Sequence, residues 1–419
     1  MLQTYTLNFI YNITTAILQF ILRILALFNK KIEKGVKGRL QTFQLLNNTI
    51  EIGDKTLWFH CASLGEYEQG LPVFKALRNH YSKHKIVLTF FSPSGYDIRK
   101  NTPVADIVVY LPIDTIQNAK RFLNIVNPEL TIFVKYDLWP NFLNELKNRN
   151  LRAILISALF RKKQAYFKWY GFELRKILFA FEHIFTQNEA SKYLLNSINY
   201  YNVTVSGDTR FDRVTDQLSQ NNRLDFIENF KQNQLCVVAG STWPEDEVLF
   251  LNYINSENNK DTKFIIAPHN IKPAQIKNFQ EKLKTSSILY SEKKGKNHTS
   301  AQVFIIDTIG LLSKIYSYAD VAYVGGAKGN TGLHNTLEPA VFGVPIIIGE
   351  NYLKFPEAIT MIANHGMFSI STQKEFNTIL NDLILHKEKR ILSGHKNLDY
   401  IKSNKGAVSE ILHYLESIK

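Results

Sequence analysis

From Thr56 onward, short runs of β-branched and aromatic residues alternate with longer stretches in which apolar positions recur at helical spacing. That alternation predicts parallel sheet with crossover helices. The first half offers strands at Leu57–Cys61, Ile86–Phe91, Ile107–Leu111, Thr131–Val134, Ala153–Ser157 and His183–Thr186. A second set restarts at Leu235–Ala239 and continues through Phe264–Ala267, Val303–Ile306, Val321–Val324 and Pro345–Ile348. Between the sets, Ser206–Asn222 is polar and charged, with no apolar period long enough for a core element, which places a domain junction there. The expected fold class is α/β, with two open, doubly wound, Rossmann-like sheets. Two such halves facing one another would leave a cleft at the strand carboxyl ends, where these sheets bind ligands. There is no internal repeat, and the polar stretch Ser291–Ser300 reads as an exposed loop.

Ahead of the first strand the pattern changes. Leu7–Phe28 is apolar with a single charge, Arg23, and is long enough to cross a hydrocarbon core of about 30 Å as a helix. Asn8, Asn12, Thr14, Thr15 and Gln19 interrupt it, so an amphipathic helix lying in the plane of the interface is the alternative. Lys30, Lys31, Lys34, Lys37 and Arg39 follow, opposed only by Glu33. A basic run of this kind marks the cytoplasmic side and attracts anionic headgroups. No small-residue cleavage site follows the apolar run, which argues against a removed signal peptide. Either arrangement predicts a membrane-associated chain with its body on the cytoplasmic face.

Length and charge sharpen this picture. A chain of 419 residues exceeds one ordinary core, so two domains are expected. The net charge of +13 calls for an anionic partner. Nucleic acid is the weakest choice, because the basic residues are dispersed and no recognised motif focuses them. The two cysteines, Cys61 and Cys236, lie far apart and match no metal-ligand spacing, so they read as buried thiols of a reducing compartment.

The chemistry-bearing residues gather after the predicted strands. Leu57–Cys61 runs into Ala62-Ser63-Leu64-Gly65-Glu66 and then a helical pattern. Ser63 and Glu66 have the spacing of a capping box, and the same geometry offers Glu66 as a general base just past a strand end. The two readings coexist only in part, because a carboxylate tied back to the Ser63 amide is a poor base. Ser92-Pro93-Ser94-Gly95 after the second strand suits either an oxygen-rich ligand or an ordinary strand-to-helix turn. The clearest phosphate feature is Val324-Gly325-Gly326-Ala327-Lys328-Gly329-Asn330-Thr331-Gly332-Leu333-His334, a buried strand ending in a loop with four glycines. A helix is expected to begin near His334, offering free N–H donors to an anion, with Glu338 one turn in to accept from ribose hydroxyls. The spacing is neither the Walker pattern nor the dinucleotide fingerprint, which weakens kinase and dehydrogenase readings. Asp208-Thr209-Arg210-Phe211-Asp212 in the junction, Pro268-His269-Asn270 and Asp307-Thr308-Ile309-Gly310-Leu311 sit at further strand ends. Glu245-Asp246-Glu247 opens a helix after Pro244 and reads as structural; no metal site is expected.

Taken together these blocks resemble the Kdo transferases, which add 3-deoxy-D-manno-octulosonic acid to the lipid A precursor of Gram-negative bacteria. The resemblance is carried by Ser63-Leu64-Gly65-Glu66, Asp137-Leu138-Trp139-Pro140-Asn141, Gly207-Asp208-Thr209-Arg210-Phe211-Asp212, Gly240-Ser241-Thr242, Asp307-Thr308-Ile309-Gly310, and Gly325-Gly326 through His334-Asn335-Thr336-Leu337-Glu338-Pro339, in the family's order. It implies a GT-B fold, CMP-Kdo as donor, inversion at the anomeric carbon, and neither metal nor cofactor. It also implies an inner-membrane location. The family's base falls on Glu66. Its nucleotide contacts fall on Pro268 and His269, on Ile309, Gly310 and Leu311, and on Asn335, Thr336, Leu337 and Glu338.

Two departures stand out. The family's E-T-E-L-W-P is Lys135-Tyr136-Asp137-Leu138-Trp139-Pro140 here, which removes an acidic role at Lys135. The family's P-R-H is Pro268-His269, which leaves a cationic donor contact to another residue, with Arg210 the candidate. The implied organisation is an anchor with its basic flank at 1–40, an acceptor-binding domain at 41–206 and a CMP-Kdo-binding domain at 207–419. The expected partners are CMP-Kdo, the lipid A precursor and the membrane surface. Two other functions compete: a GT-B transferase or epimerase using a UDP-sugar, and a non-catalytic membrane-surface adaptor.

Overall fold

The computed structural model describes residues 2–256, 261–295 and 298–418, with side chains from residue 11 onward. Lys296 and Asn297 of the expected loop Ser291–Ser300, together with Met1 and Lys419, lie outside the described residues. The chain divides into two compact units, residues 1–213 with 405–419, and residues 214–404.

In the first unit, β1 (Thr56–Cys61), β2 (Lys85–Phe90), β3 (Ile107–Tyr110), β4 (Leu130–Val134), β5 (Ala153–Ala158), β6 (His183–Thr186) and β7 (Val203–Val205) form one parallel sheet ordered β3-β2-β1-β4-β5-β6-β7. All six residues of β1 are buried, as expected of a strand covered by helices on both faces. Trp58 packs on Phe122, Phe133 and Phe142 on one face, and Phe59 stacks on Phe74 on the other. Order reverses between β1 and β4, the topological switch point at which doubly wound sheets bind ligands.

The second unit repeats the plan with β8 (Leu235–Thr242), β9 (Thr262–Pro268), β10 (Ser287–Leu289), β11 (Val303–Ile305), β12 (Val321–Val324), β13 (Ile346–Gly349) and β14 (Met367–Ile370), ordered β10-β11-β9-β8-β12-β13-β14. Here the reversal falls between β8 and β12. Both cysteines are buried free thiols.

Three features differ from the expectations. The apolar N-terminal stretch forms α1 (Leu2–Leu25), followed by α2 (Lys30–Thr49). No helix among the described residues is long and apolar enough to cross a membrane, so the spanning form of the anchor is corrected; the polar residues between Asn8 and Gln19, with Arg23, dilute the run. Instead α1 presents an outward apolar face, Ile17, Phe20 and Ile21 being exposed, with Leu27 and Phe28 just beyond it. Next, the junction stretch Ser206–Asn222 is ordered: it carries the helix Thr209–Thr215, and Phe211 and Val214 are buried. Finally, the closing helix Ala407–Ser417, within the expected second domain, packs Ile411 and Leu415 into the first unit's core. Asp212 accepts from the Gly406 and Ala407 amides, 3.1 Å each, and so caps that helix.

Candidate active site

Glu66 lies in the first turn of α3 (Leu64–His80), directly after β1. The capping box is not closed: Ser63 is the N-cap residue but makes no side-chain capping bond, and the Glu66 carboxylate accepts from the Ala62 amide, one residue earlier. Only Oε2 is engaged in this way. Oε1 has no hydrogen-bond partner among the described residues. Glu66 retains 8% of its surface, and burial pushes its carboxyl above the usual range, with Asp137 adding repulsion; the Ala62 amide, His60 and Lys135 oppose that rise.

Those neighbours belong to a network that sequence reasoning passed over. His60, fully buried on β1, meets Thr89 Oγ1 through Nδ1 at 2.8 Å and Asp137 Oδ2 through Nε2 at 2.8 Å. Trp139 Nε1 donates to the same Asp137 oxygen at 2.9 Å. The turn after β4 thereby lies beside the turn after β1, across the switch point. Lys135 begins that turn with φ 72°, a left-handed conformation that is costly for a residue with Cβ and that gathers at functional sites. The signal available in the sequence was a histidine inside an otherwise apolar strand.

In the second unit the three predicted donor segments come together at the carboxyl ends of their strands. Pro268 closes β9, and the His269 amide donates to Thr242 O at 2.9 Å. The His269 ring stacks over both Trp243 and His334, with centroids at 4.9 and 4.3 Å. Trp243 Nε1 donates to His334 Nε2 at 3.0 Å, fixing that nitrogen as an acceptor. Burial, with His269 nearby, lowers His334 to about 4, so the ring is neutral at physiological pH.

Ile309 is 88% exposed, and Gly310 has φ 90°. Ser313, two residues past Leu311, donates to Glu338 Oε2 at 3.3 Å, and Asn335 Nδ2 donates to Glu338 Oε1 at 3.1 Å. Leu337 and Thr336 are buried, and Thr336 Oγ1 has no partner among the described residues. A buried hydroxyl left without a partner costs free energy unless a water or ligand meets it.

The glycine loop departs from its expected form. His334 stays in the loop, its amide donating to Gly325 O at 3.2 Å, and the helix begins only at Leu337 and ends at Ala340. Gly332, with φ 98°, turns the chain back before a helix can start. At Gly325 a Cβ would lie 2.3 Å from Ser241 O, so this glycine serves close packing of two strand ends. Asp246 holds the loop: buried in the helix Pro244–Ser256, it accepts from Tyr323 Oη at 2.6 Å, from Trp243 N at 2.9 Å and from Gly326 N at 3.0 Å. Arg210, in the first unit, is held by Asp208, with Nε and Nη2 each 2.8 Å from Oδ2.

Two parallel seven-stranded units, each with a polar constellation at its switch point, define the α/β class shared by GT-B glycosyltransferases and sugar-nucleotide epimerases. Among solved structures, the UDP-GlcNAc 2-epimerase from Neisseria meningitidis bound to UDP-GlcNAc is similar in fold, with TM-score 0.62 at 16% identity over 87% of this chain and 100% of that one. A glycosyltransferase from Rickettsia africae gives TM-score 0.57 at 10% identity over 87% and 99%.

Within that class the chain resembles the Kdo transferases. The family described as 3-deoxy-D-manno-octulosonic-acid transferase (kdotransferase) matches residues 34–213. The 3-deoxy-D-manno-octulosonic acid transferase of Haemophilus influenzae is 27% identical over 86% of each chain. That of Chlamydophila psittaci is 28% identical over 84% of this chain and 82% of its own.

Proposed function

We propose that the protein is a glycosyltransferase that moves Kdo from CMP-Kdo to a hydroxyl of the lipid A precursor, with inversion, in lipopolysaccharide biosynthesis. The observation that carries the reading is Glu66. Its carboxylate follows β1 within the family-matched segment, keeps one oxygen free of partners among the described residues, and is made more basic by burial. A general base works best when its proton affinity approaches that of the working pH.

Glu66 takes the proton of the acceptor hydroxyl, whose oxygen forms a bond to the anomeric carbon of Kdo. The bond from that carbon to the CMP phosphate oxygen breaks, and CMP departs with the electron pair. Asp137, paired with His60, sets the field around Glu66. In the second unit, Pro268 and His269, Ile309 to Leu311, and Asn335 to Glu338 hold the nucleotide, with Thr336 Oγ1, unpartnered among the described residues, placed to donate to it. Preorganised donors act most strongly where charge develops, and a monophosphate leaving group needs no resident metal or cofactor in this scheme. The exposed apolar face of α1 and the basic start of α2 hold the protein in the plane of the inner membrane, on its cytoplasmic face, where the lipid substrate resides.

Calorimetric titration of CMP and UDP into the wild type and Glu66→Gln tests this reading. It predicts binding of CMP in preference to UDP, and undiminished CMP binding by the Gln variant. Preference for UDP would replace it with a UDP-sugar enzyme, and binding of neither would favour an adaptor.

A further inference from the structure

α1 and α2 also wall a cavity. It measures about 240 Å³ and lies in the first unit between these helices and the residues following β3. Leu22, Leu40 and Phe43 form its apolar side, and Arg23, Arg39 and Arg121 its cationic side. Arg39 is committed to the fold: its guanidinium donates to the carbonyls of Gly35, Phe91 and Leu111 and stacks on the Phe91 ring at 4.4 Å. Burial lowers it to about 10, which leaves it charged at neutral pH. Arg23 and Arg121 are different. Both are exposed, neither forms an ion pair among the described residues, and Arg121 is propped over the Phe43 ring at 4.1 Å.

Three guanidinium groups around one cavity, with no carboxylate lining it, repel one another unless an anion joins them. The apolar wall and the exposed Leu40 suit an anion that carries hydrocarbon. Arg39 bonds to the carbonyls that end β2 and β3, and Glu66 follows β1, so the cavity stands at the same carboxyl-terminal edge of the first sheet as the candidate base.

We propose that this cavity binds the phosphomonoester end of an acylated lipid drawn from the bilayer. The phosphate sits between Arg23 and Arg121, the start of the acyl region lies along Leu22, Leu40 and Phe43, and α1 is a wall of the lipid site as well as a means of holding the membrane. The inference rests on the transferase reading only for the identity of that lipid as the acceptor. Guanidinium groups suit this task because they bind phosphate oxygens in pairs.

The test uses the full chain and phosphatidylcholine vesicles carrying either 10 mol% phosphatidic acid or 10 mol% diacylglycerol, with binding read by flotation. Wild type is expected to favour the phosphatidic acid vesicles, and Arg23→Gln/Arg121→Gln to lose about tenfold in that affinity. The charge-matched control Lys162→Gln/Lys163→Gln, on an exposed loop of the same unit and outside the cavity's lining, is expected to lose less than about twofold.

Equal losses in the two double variants would overturn the site, since general attraction to the surface would then explain the binding. Displacement by millimolar glycerol 3-phosphate would overturn the lipid assignment in favour of a soluble phosphate. The flotation contains no donor, so arginine-dependent binding by a protein that transfers no sugar would sustain the site while removing the proposed function. Undiminished binding by an active Arg23→Gln/Arg121→Gln enzyme would do the reverse.

Discussion

Asp246 offers a sharp test of how the second unit holds its glycine loop. Its buried carboxylate is the shared acceptor for three donors from separate elements, the Tyr323 hydroxyl and the Trp243 and Gly326 amides. Asp246→Ala leaves two buried N–H groups and one hydroxyl without an acceptor. At about 1–3 kcal/mol for each orphaned group, the loss is at least about 3 kcal/mol. Asp246→Asn behaves differently. Its carbonyl oxygen can take the place of Oδ2 and keep both amides, while its amide nitrogen donates to Tyr323 Oη, a phenol that accepts as readily as it donates. Burial raises the Asp246 carboxyl and so makes its charge costly; an Asn that keeps all three bonds without that charge is expected to cost about 1 kcal/mol. Hydrogen exchange read by mass spectrometry, on peptides covering β8 and β12, measures both changes, with first-unit peptides as the internal reference. CMP titration of the same variants should show weakened binding for Ala and near-normal binding for Asn. An Ala variant within about 0.5 kcal/mol of wild type would refute the reasoning, as would an Asn variant as damaged as Ala.

Further expectations concern the capped helix, one glycine and one histidine. Asp212→Ala removes the acceptor for the Gly406 and Ala407 amides and should cost about 1–2 kcal/mol; limited proteolysis should then release the C-terminal helix first, and an unchanged digestion pattern would contradict the capping role. Gly240→Ala places a Cβ 2.0 Å from Tyr316 Oη, so it should lower the thermal midpoint, and Tyr316→Phe in the same chain should restore part of the loss. His334 is depressed to about 4 in the fold against about 6.5 when unfolded, so its contribution is complete above about pH 6.5 and is lost as pH falls toward 4. Thermal melts of wild type and His334→Asn should therefore converge across that window, and a constant difference would argue against a buried neutral ring.

The strands that build both sheets were legible because central parallel strands are buried on both faces and read as continuous apolar runs. Those missed were β7, β10 and β14, each a sheet edge, short and incompletely buried, so that no apolar run announced them. The junction stretch showed no core element in the sequence because its buried residues, Phe211 and Val214, are too few to make a period in so short a helix. Glu66 was legible from its position after β1, although its amide partner was not, because capping geometry depends on the local turn. His60 and Asp137 lie 77 residues apart, and only the pairing of β1 with β4 brings them together. The start of the helix after the glycine loop was misplaced because Gly332 and a backbone bond from His334 to Gly325 fold the loop back, a long-range feature that glycine spacing does not encode.

The central claim is that Glu66, in the helix after β1, drives sugar transfer from a CMP donor to a phosphorylated lipid. Mass spectrometry of lipid A precursor incubated with CMP-Kdo and the purified protein tests it most directly, with Glu66→Gln run in parallel. The account predicts lipid heavier by one or more Kdo residues, each the mass of Kdo less one water, with wild type and unmodified lipid with the variant. Lipid of unchanged mass with wild type, or equal conversion by the two proteins, would contradict it.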